Sequence, residues 1–409
     1  MTEPVEARHP AVVARSPAVS PDIVVLIAGI TAALHVGKLP PAIPALQQAL
    51  GISLVQSGFL LSLVQLAGML GGLMISLLAD SAGLRRSIMA GLGLLTVASL
   101  AGGWAQSGEA LLWLRALEGL GFLLVTLSAP ALIRQLVAPE NLSLRLGWWS
   151  CYMGLGMGSA LLLAPWILDT LGWQAWWWLL AALTAVVLGT VWRSVPADST
   201  HQSGVRPALG HMLARLWTTL SHSGPWYLGI TFAMYAGQWL SVVGFLPSIY
   251  TQAGISGTRL GVLTALVALV NAAGNAVAGR LMHRGIPPIH LLTTGFLCMA
   301  LCAFLAFSNW TGSPVLKYLA VLMFSGIGGI VPASLFALSV QVAPDRHTIP
   351  TTVGWMLQFS ALGQFVAPPA FATLVAWAGG WQWSWTLSLV TSAAGLGFAL
   401  LTVRKTATH

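Results

Sequence analysis

Twelve apolar stretches separated by short polar breaks take up most of this 409-residue chain. About 20 helical residues cross the hydrocarbon core of a bilayer. Backbone groups in lipid must be satisfied within the segment itself, so each stretch is expected to be a helix. The stretches run near 22–44, 54–79, 87–106, 110–135, 145–168, 174–194, 225–250, 259–283, 288–308, 315–342, 349–376 and 381–403. Charge agrees with this reading. Asp, Glu, Lys and Arg make up 7% of the residues, against about 25% in a soluble domain, and mean hydropathy is +0.81. The 44 Gly and 22 Pro then fit close helix packing and kinks rather than loops. An all-α, multi-pass integral membrane protein follows.

Basic residues orient the spans. With the N-terminus in the cytoplasm, fourteen Lys and Arg fall on inner segments, only Arg259 and Lys317 on outer ones, and Lys38 and Arg115 within spans, which accounts for all 18. That bias places both termini in the cytoplasm. No run of five or more basic residues occurs, so the net charge of +8 does not suggest nucleic-acid binding. Residues 1–21 are polar and the first apolar run is too long for a cleavable signal, so a cytoplasmic tail is expected there.

The chain also repeats itself. Val137-Ala138-Pro139-Glu140 returns as Val342-Ala343-Pro344-Asp345, Gly147-Trp148 as Gly354-Trp355, and Ala164-Pro165 as Ala367-Pro368. Gly172-Trp173-Gln174 returns as Gly380-Trp381-Gln382, and Gly51-Ile52-Ser53 as Gly254-Ile255-Ser256, all at offsets of 203 to 208. Five matches in order indicate duplication of a six-span unit. Two parallel six-helix bundles are expected, at 22–194 and 225–403, joined by a cytoplasmic linker at 195–224 and followed by a short tail at 404–409. A substrate site between such halves, near the midplane, is one established transporter plan.

Between spans two and three, Asp80-Ser81-Ala82-Gly83-Leu84-Arg85-Arg86 resembles the loop signature of the major facilitator superfamily, with Ser76 and Ser81 departing from it. Gly279-Arg280-Leu281-Met282-His283-Arg284-Gly285 is a worn second copy, and Arg115 with Glu118-Gly119-Leu120-Gly121 resembles the fourth-helix motif. Gly244-Phe245-Leu246-Pro247 and Gly363-Gln364-Phe365-Val366-Ala367-Pro368-Pro369 look like the cyanate permease and nitroimidazole transporter branch. The resemblance implies a twelve-helix transporter of the bacterial cytoplasmic membrane. It also implies that Asp80, Gly83, Arg85 and Arg86 form a cytoplasmic gating latch.

Ionisable groups inside spans are costly and point to function. His35 and Lys38 in span one and Arg115 and Glu118 in span four are the strong cases. With ~1.5 Å rise per residue, all four fall in one layer, about 8–13 Å from the outer ends of their spans. Each pair is spaced i,i+3 and shares a helix face. A polar pocket with two cations and one carboxylate favours an anionic or strongly polar solute, and Glu118 is the candidate proton-coupling site. Bland readings stand beside this one. Arg115 and Glu118 can simply pair, Lys38 can snorkel to the interface, and Pro40, Pro41 and Pro44 either break span one or mark its exit. The repeat pairs His35 with Gln238 and Lys38 with Ser241. Tyr235, Gln238, Asn271, Asn275 and Gln358 complete the candidate substrate-binding set, as neutral polar partners from the second half.

Other classes fare worse. Met153 with Met157 and Cys298 with Cys302 are i,i+4 pairs of soft ligands on different spans, a weak case for metal. The 19 Trp cluster near span ends, where they anchor helices at the interface. No nucleophile elbow, zincin motif or phosphate loop occurs, so an enzyme is not expected. No cofactor is expected either. The sequence therefore points to a monomeric secondary transporter, proton-coupled or facilitative, of a small anion or polar organic solute. An efflux pump for drugs or aromatic compounds is the first alternative, weakened because no Pro follows Gly154, Gly156 and Gly158 until Pro165. A non-transporting membrane sensor is the second.

Overall fold

The computed structural model describes residues 20–72, 83–198 and 209–406. Among these, eleven helical stretches are long and apolar enough to cross a bilayer: Pro21–Leu50, Leu54–Gly72, Leu84–Gly102, Gly108–Leu136, Pro139–Ser194, Ser223–Gln252, Gly257–His283, Pro288–Phe307, Pro314–Val342, Ile349–Ala378 and Trp381–Thr402. Pro139–Ser194 runs 56 residues, about 84 Å if straight, nearly three hydrocarbon thicknesses. It turns back at Gly172, whose φ of 81° and ψ of 169° lie in a region open essentially only to glycine. The stretch therefore crosses twice and supplies spans five and six, which brings the crossings to twelve.

Span one differs from the sequence reading. It does not end near residue 44 but continues to Leu50. Lys38 keeps helical angles (φ −65°, ψ −29°), and Pro40 and Pro41 occupy the first turn of the following segment, where a helix tolerates proline best. The helix ends where Gly51 turns left-handed (φ 63°), as Gly254 (φ 80°) does after span seven. The longer helix also moves Lys38. It sits about 18 Å from Leu50 and about 26 Å from Pro21, close to the middle of the span rather than near an end.

Backbones approach closely where side chains are small, as expected when packing rather than the hydrophobic effect joins helices in lipid. A Cβ on Gly156 would lie 2.5 Å from the Ile30 carbonyl oxygen, one on Gly119 would lie 2.6 Å from that of Val64, and one on Gly363 would lie 2.1 Å from that of Ala233. These contacts lock spans five to one, four to two and eleven to seven. The two halves meet along spans two and eleven, where Gln65 Nε2 donates to Gln364 Oε1 at 3.0 Å. They also meet along spans five and eight, where a Cβ on Gly261 would lie 2.6 Å from the Leu162 carbonyl oxygen. Residues 31–43 of span one and 240–248 of span seven are all buried, whereas Ile27, Ile30, Trp226 and Ile230 nearer the Ser20 end are partly or fully exposed. Burial is thus continuous through the middle of both spans, and exposed or partly exposed residues return towards their other ends, as at Gln48, Ala49, Thr251 and Gln252.

Candidate functional site

Span one carries His35 and Lys38 on one face, and span four carries Arg115 and Glu118 on another. The fold brings all four together, each at most 3% exposed. Lys38 does not snorkel. Its ammonium has three protons and finds three acceptors: the Glu118 carboxylate, Ser99 Oγ at 3.0 Å and His35 Nδ1 at 3.4 Å. It also lies 4.8 Å from the centre of the Trp177 ring, within cation–π range. Because His35 Nδ1 accepts from Lys38, the network assigns the ring proton to Nε2, which donates to Thr184 Oγ1 at 2.8 Å. Thr184 passes its own proton to the Leu180 carbonyl, and Ser99 passes its to the Trp177 carbonyl.

Arg115 closes the other side. Its Nη1 donates to Glu118 Oε2 at 2.8 Å and to the His35 carbonyl at 2.5 Å. Its Nε reaches the Leu60 carbonyl at 3.1 Å, and Nη2 the Val36 carbonyl at 3.4 Å. The Val36 carbonyl is available because Pro40, one turn on, has no N–H to donate. Trp176 Nε1 takes the Lys38 carbonyl at 3.2 Å. The carbonyl that Pro40 leaves without its helical donor is thus taken up by Arg115.

This arrangement corrects part of the expected pocket. One carboxylate serves two cations, so the cluster carries a formal charge of +1, spread over backbone carbonyl dipoles. It lies within the first half, between spans one, three, four and six, and not between the halves. Beside it is a void of about 10 Å³ lined by Leu39, Leu60, Leu111, Leu114, Arg115, Glu118 and Trp177, room for roughly one water. Arg115 and Glu118 do pair, and Glu118 binds Lys38 as well.

The expected residues of the second half do not join the cluster. Asn271 Nδ2 donates to the Tyr235 hydroxyl at 2.9 Å and to the Ser325 carbonyl at 2.8 Å, and Asn275 is half-buried on the next turn. Gln358 Nε2 donates to the Met69 carbonyl at 2.9 Å and ties span eleven to span two. Gln238 Oε1 accepts from Ser392 Oγ at 3.2 Å, leaving its own amide nitrogen buried without a partner. This last bond is the second-half image of His35 with Thr184. Gln238 lies 203 residues after His35, the Gly51-to-Gly254 offset, and Ser392 lies 208 after Thr184, the Gly172-to-Gly380 offset.

Ser99 and Thr184 carry no periodic mark in the sequence, and the interfacial-anchor reading of the Trp residues fails at Trp176 and Trp177, which are 1% and 3% exposed and pack against Lys38. The repeat offset alone could have singled out Thr184. Of the gating loop, Asp80 lies outside the described residues. Gly83 has φ 102°, and a Cβ there would meet Asp198 Oδ2 at 2.4 Å. The N–H groups of Arg85 and Arg86 donate to the Asp198 carboxylate at 3.0 and 3.1 Å, an anion seated on a helix N-terminus. Arg85 Nη2 also donates to the Trp192 carbonyl at 2.6 Å. Asp198, just past span six, is a partner the sequence did not flag. Among the described residues no group of three or more His, Cys, Asp or Glu could hold a metal ion.

The family model described as the Major Facilitator Superfamily matches residues 25–368 and 230–409. The chain belongs to this superfamily. It is 24% identical over 345 residues to the cyanate transport protein CynX of Escherichia coli, covering 82% of this chain and 84% of that one. It is 22% identical over 336 residues to a protein named "Probable 4-methylmuconolactone transporter" of Cupriavidus pinatubonensis, covering 80% and 69%. Its fold is similar to that of a bacterial homologue of the human lysosomal transporter Spinster, solved inward-facing and unoccupied, with a TM-score of 0.80, 16% identity and coverage of 96% and 99%. The protein is a multi-pass integral membrane transporter of small solutes and not an enzyme. The curated relatives are bacterial, in keeping with a bacterial cytoplasmic membrane.

Proposed function

We propose that this chain imports a small anion or polar organic solute by alternating access, with proton movement coupled through Glu118. The observation that carries this reading is the two-to-one cluster: Lys38 and Arg115 compete for a single carboxylate at the middle of the first bundle. Protonating Glu118 would release both cations at once, and two unpaired buried charges are too costly to persist. An arriving anion, or a shift of span four, would then restore the balance. Substrate recognition falls to these groups with His35, and to Tyr235, Gln238, Asn271, Asn275 and Gln358 across the halves. The loop of Asp80, Gly83, Arg85 and Arg86 biases the two conformations, and the molecule works as a monomer. With the positive-inside orientation, the Ser20 end faces the cytoplasm.

Cyanate, the substrate named for the Escherichia coli relative, is the first anion to test. In proteoliposomes, uptake should rise with an imposed inward proton gradient. Glu118→Gln should lose gradient-driven accumulation while keeping some exchange of solute at equilibrium. Lys38→Ala and Arg115→Ala should each lower uptake more than about tenfold, ~1.4 kcal/mol of lost stabilisation. Normal uptake in both cation variants would remove the site assignment. Accumulation indifferent to the gradient would remove the coupling, and net transport outward in right-side-out vesicles would favour efflux.

A further inference from the structure

In the second half, at the Gly51 end, span nine finishes at Phe307 and span twelve begins beyond the turn at Gly379. Between them lies a cavity of about 580 Å³, within the size range of small-molecule sites. Its walls are Phe304, Trp310, Trp383 and Trp385, with Ser308, Asn309 and Gln382 between the rings. The four rings form one chain of contacts. Phe304 meets Trp385 edge-on at 5.1 Å and Trp310 at 6.0 Å, and Trp383 stacks beside Trp385 at 6.4 Å.

Interfacial anchoring accounts for Trp residues that stand singly in lipid. The cleft is open, with Trp310 and Trp383 exposed, and anchoring alone does not account for Ser308. Ser308 is 6% exposed, lines the cavity, and its hydroxyl has no hydrogen-bond partner. An unsatisfied buried hydroxyl costs free energy unless something occupies the space beside it.

We propose that this cavity binds an organic ammonium group, held by the indole faces and by the Ser308, Asn309 and Gln382 polar atoms. The ring faces attract cations through their quadrupole, and aromatic cages are a recurrent solution for alkylated ammonium. No Asp, Glu, Lys or Arg lines the cavity. A metal cation would need a shell of oxygen ligands that these walls lack, and a free anion would find no positive charge. A weakly hydrated ammonium needs neither. At this level of the membrane the group could come from a phospholipid headgroup or from a free solute, and the two share the same chemistry. This inference is independent of the Glu118 reading, since it concerns the other half and another ligand.

The test uses the full-length protein in phosphatidylglycerol nanodiscs. Radiolabelled choline is titrated, with tetramethylammonium and the uncharged isostere 3,3-dimethylbutan-1-ol as competitors. In parallel, native mass spectrometry measures retention of phosphatidylethanolamine. Tetramethylammonium should compete and the isostere should not. Trp310→Ala, at a position 78% exposed and outside the core, should weaken binding about tenfold. Trp385→Ala should do the same, and Trp385→Phe should stay within about threefold, as cation–π attraction predicts. Choline binding supports a solute source, and lipid retention without choline binding supports a headgroup source. Failure of both probes, equal competition by the isostere, or unaltered binding in Trp310→Ala and Trp385→Ala would each overturn the proposal.

Discussion

The two halves share one skeleton and differ in what fills it. Spans one and six are braced by His35 and Thr184, and spans seven and twelve by Gln238 and Ser392. In the first half that brace leads on to Lys38, Glu118 and Arg115. In the second, Lys38 is matched by Ser241, which only bonds back to the Gly237 carbonyl. The offsets flanking span four, 203 and 205, set Glu118 opposite residues 321–323, Val321-Leu322-Met323, which are all apolar. The brace is therefore a property of the fold and the charge an addition to one copy. One bundle carries a buried ionisable cluster, and the matching positions of the other are neutral.

The sharpest way to break this contrast is Glu118→Gln, which leaves Lys38 and Arg115 buried without a carboxylate. It should destabilise the protein by about 3–5 kcal/mol, read as a lowered unfolding midpoint of the purified full chain. Lys38→Met on that background should recover part of the loss. Gln238→Leu should cost far less, and equal losses in the two halves would end the asymmetry. Arg115→Lys keeps the charge but cannot span Leu60, Val36 and Glu118 together. A loss of about 1.5–3 kcal/mol is expected by the same unfolding measurement, and none would mean that charge alone matters.

Gly172→Ala tests the turn that separates spans five and six. A side chain at φ 81° and ψ 169° should cost about 1–3 kcal/mol. The loss should appear as a faster-cleaved Trp173–Gln174 region in limited proteolysis. The smallest effects belong to the shared brace. Thr184→Val and Ser392→Ala should each cost about 1 kcal/mol. If Thr184→Val cost no more than a neutral substitution in hydrogen exchange and melting, His35 would be held by Lys38 alone.

Much of this was legible beforehand, for identifiable reasons. Apolar run length marks membrane spans because lipid leaves the backbone no other partner, and the i,i+3 spacing placed His35 with Lys38 and Arg115 with Glu118 correctly. The layer they form was legible, but its surroundings were not. Proline at 40, 41 and 44 reads as a break or an exit, yet Pro40 and Pro41 sit in a first turn and the helix carries Pro44 inside it, so span one runs six residues further and Lys38 lies further inward. Ser99 and Trp176 gave no sign, because their roles depend on which helix faces which, and helix pairing is not written in periodicity. Asp198 sits in a polar segment where its charge looks ordinary until the turn at Gly83 is seen closing on it.

The 80 residues between Lys38 and Glu118 have a consequence for how the chain is made. Ribosomes add about 5–20 residues per second, so Lys38 enters the membrane roughly 4–16 s before its counter-ion is synthesised. During that interval span one must hold a lone ammonium near its centre, a burden of about 2.5–3.5 kcal/mol on insertion scales. The first helix must therefore linger beside the insertion machinery, or hold its lysine toward water, until span four arrives. Glu118 thus neutralises a lysine that is already in place when span four is made.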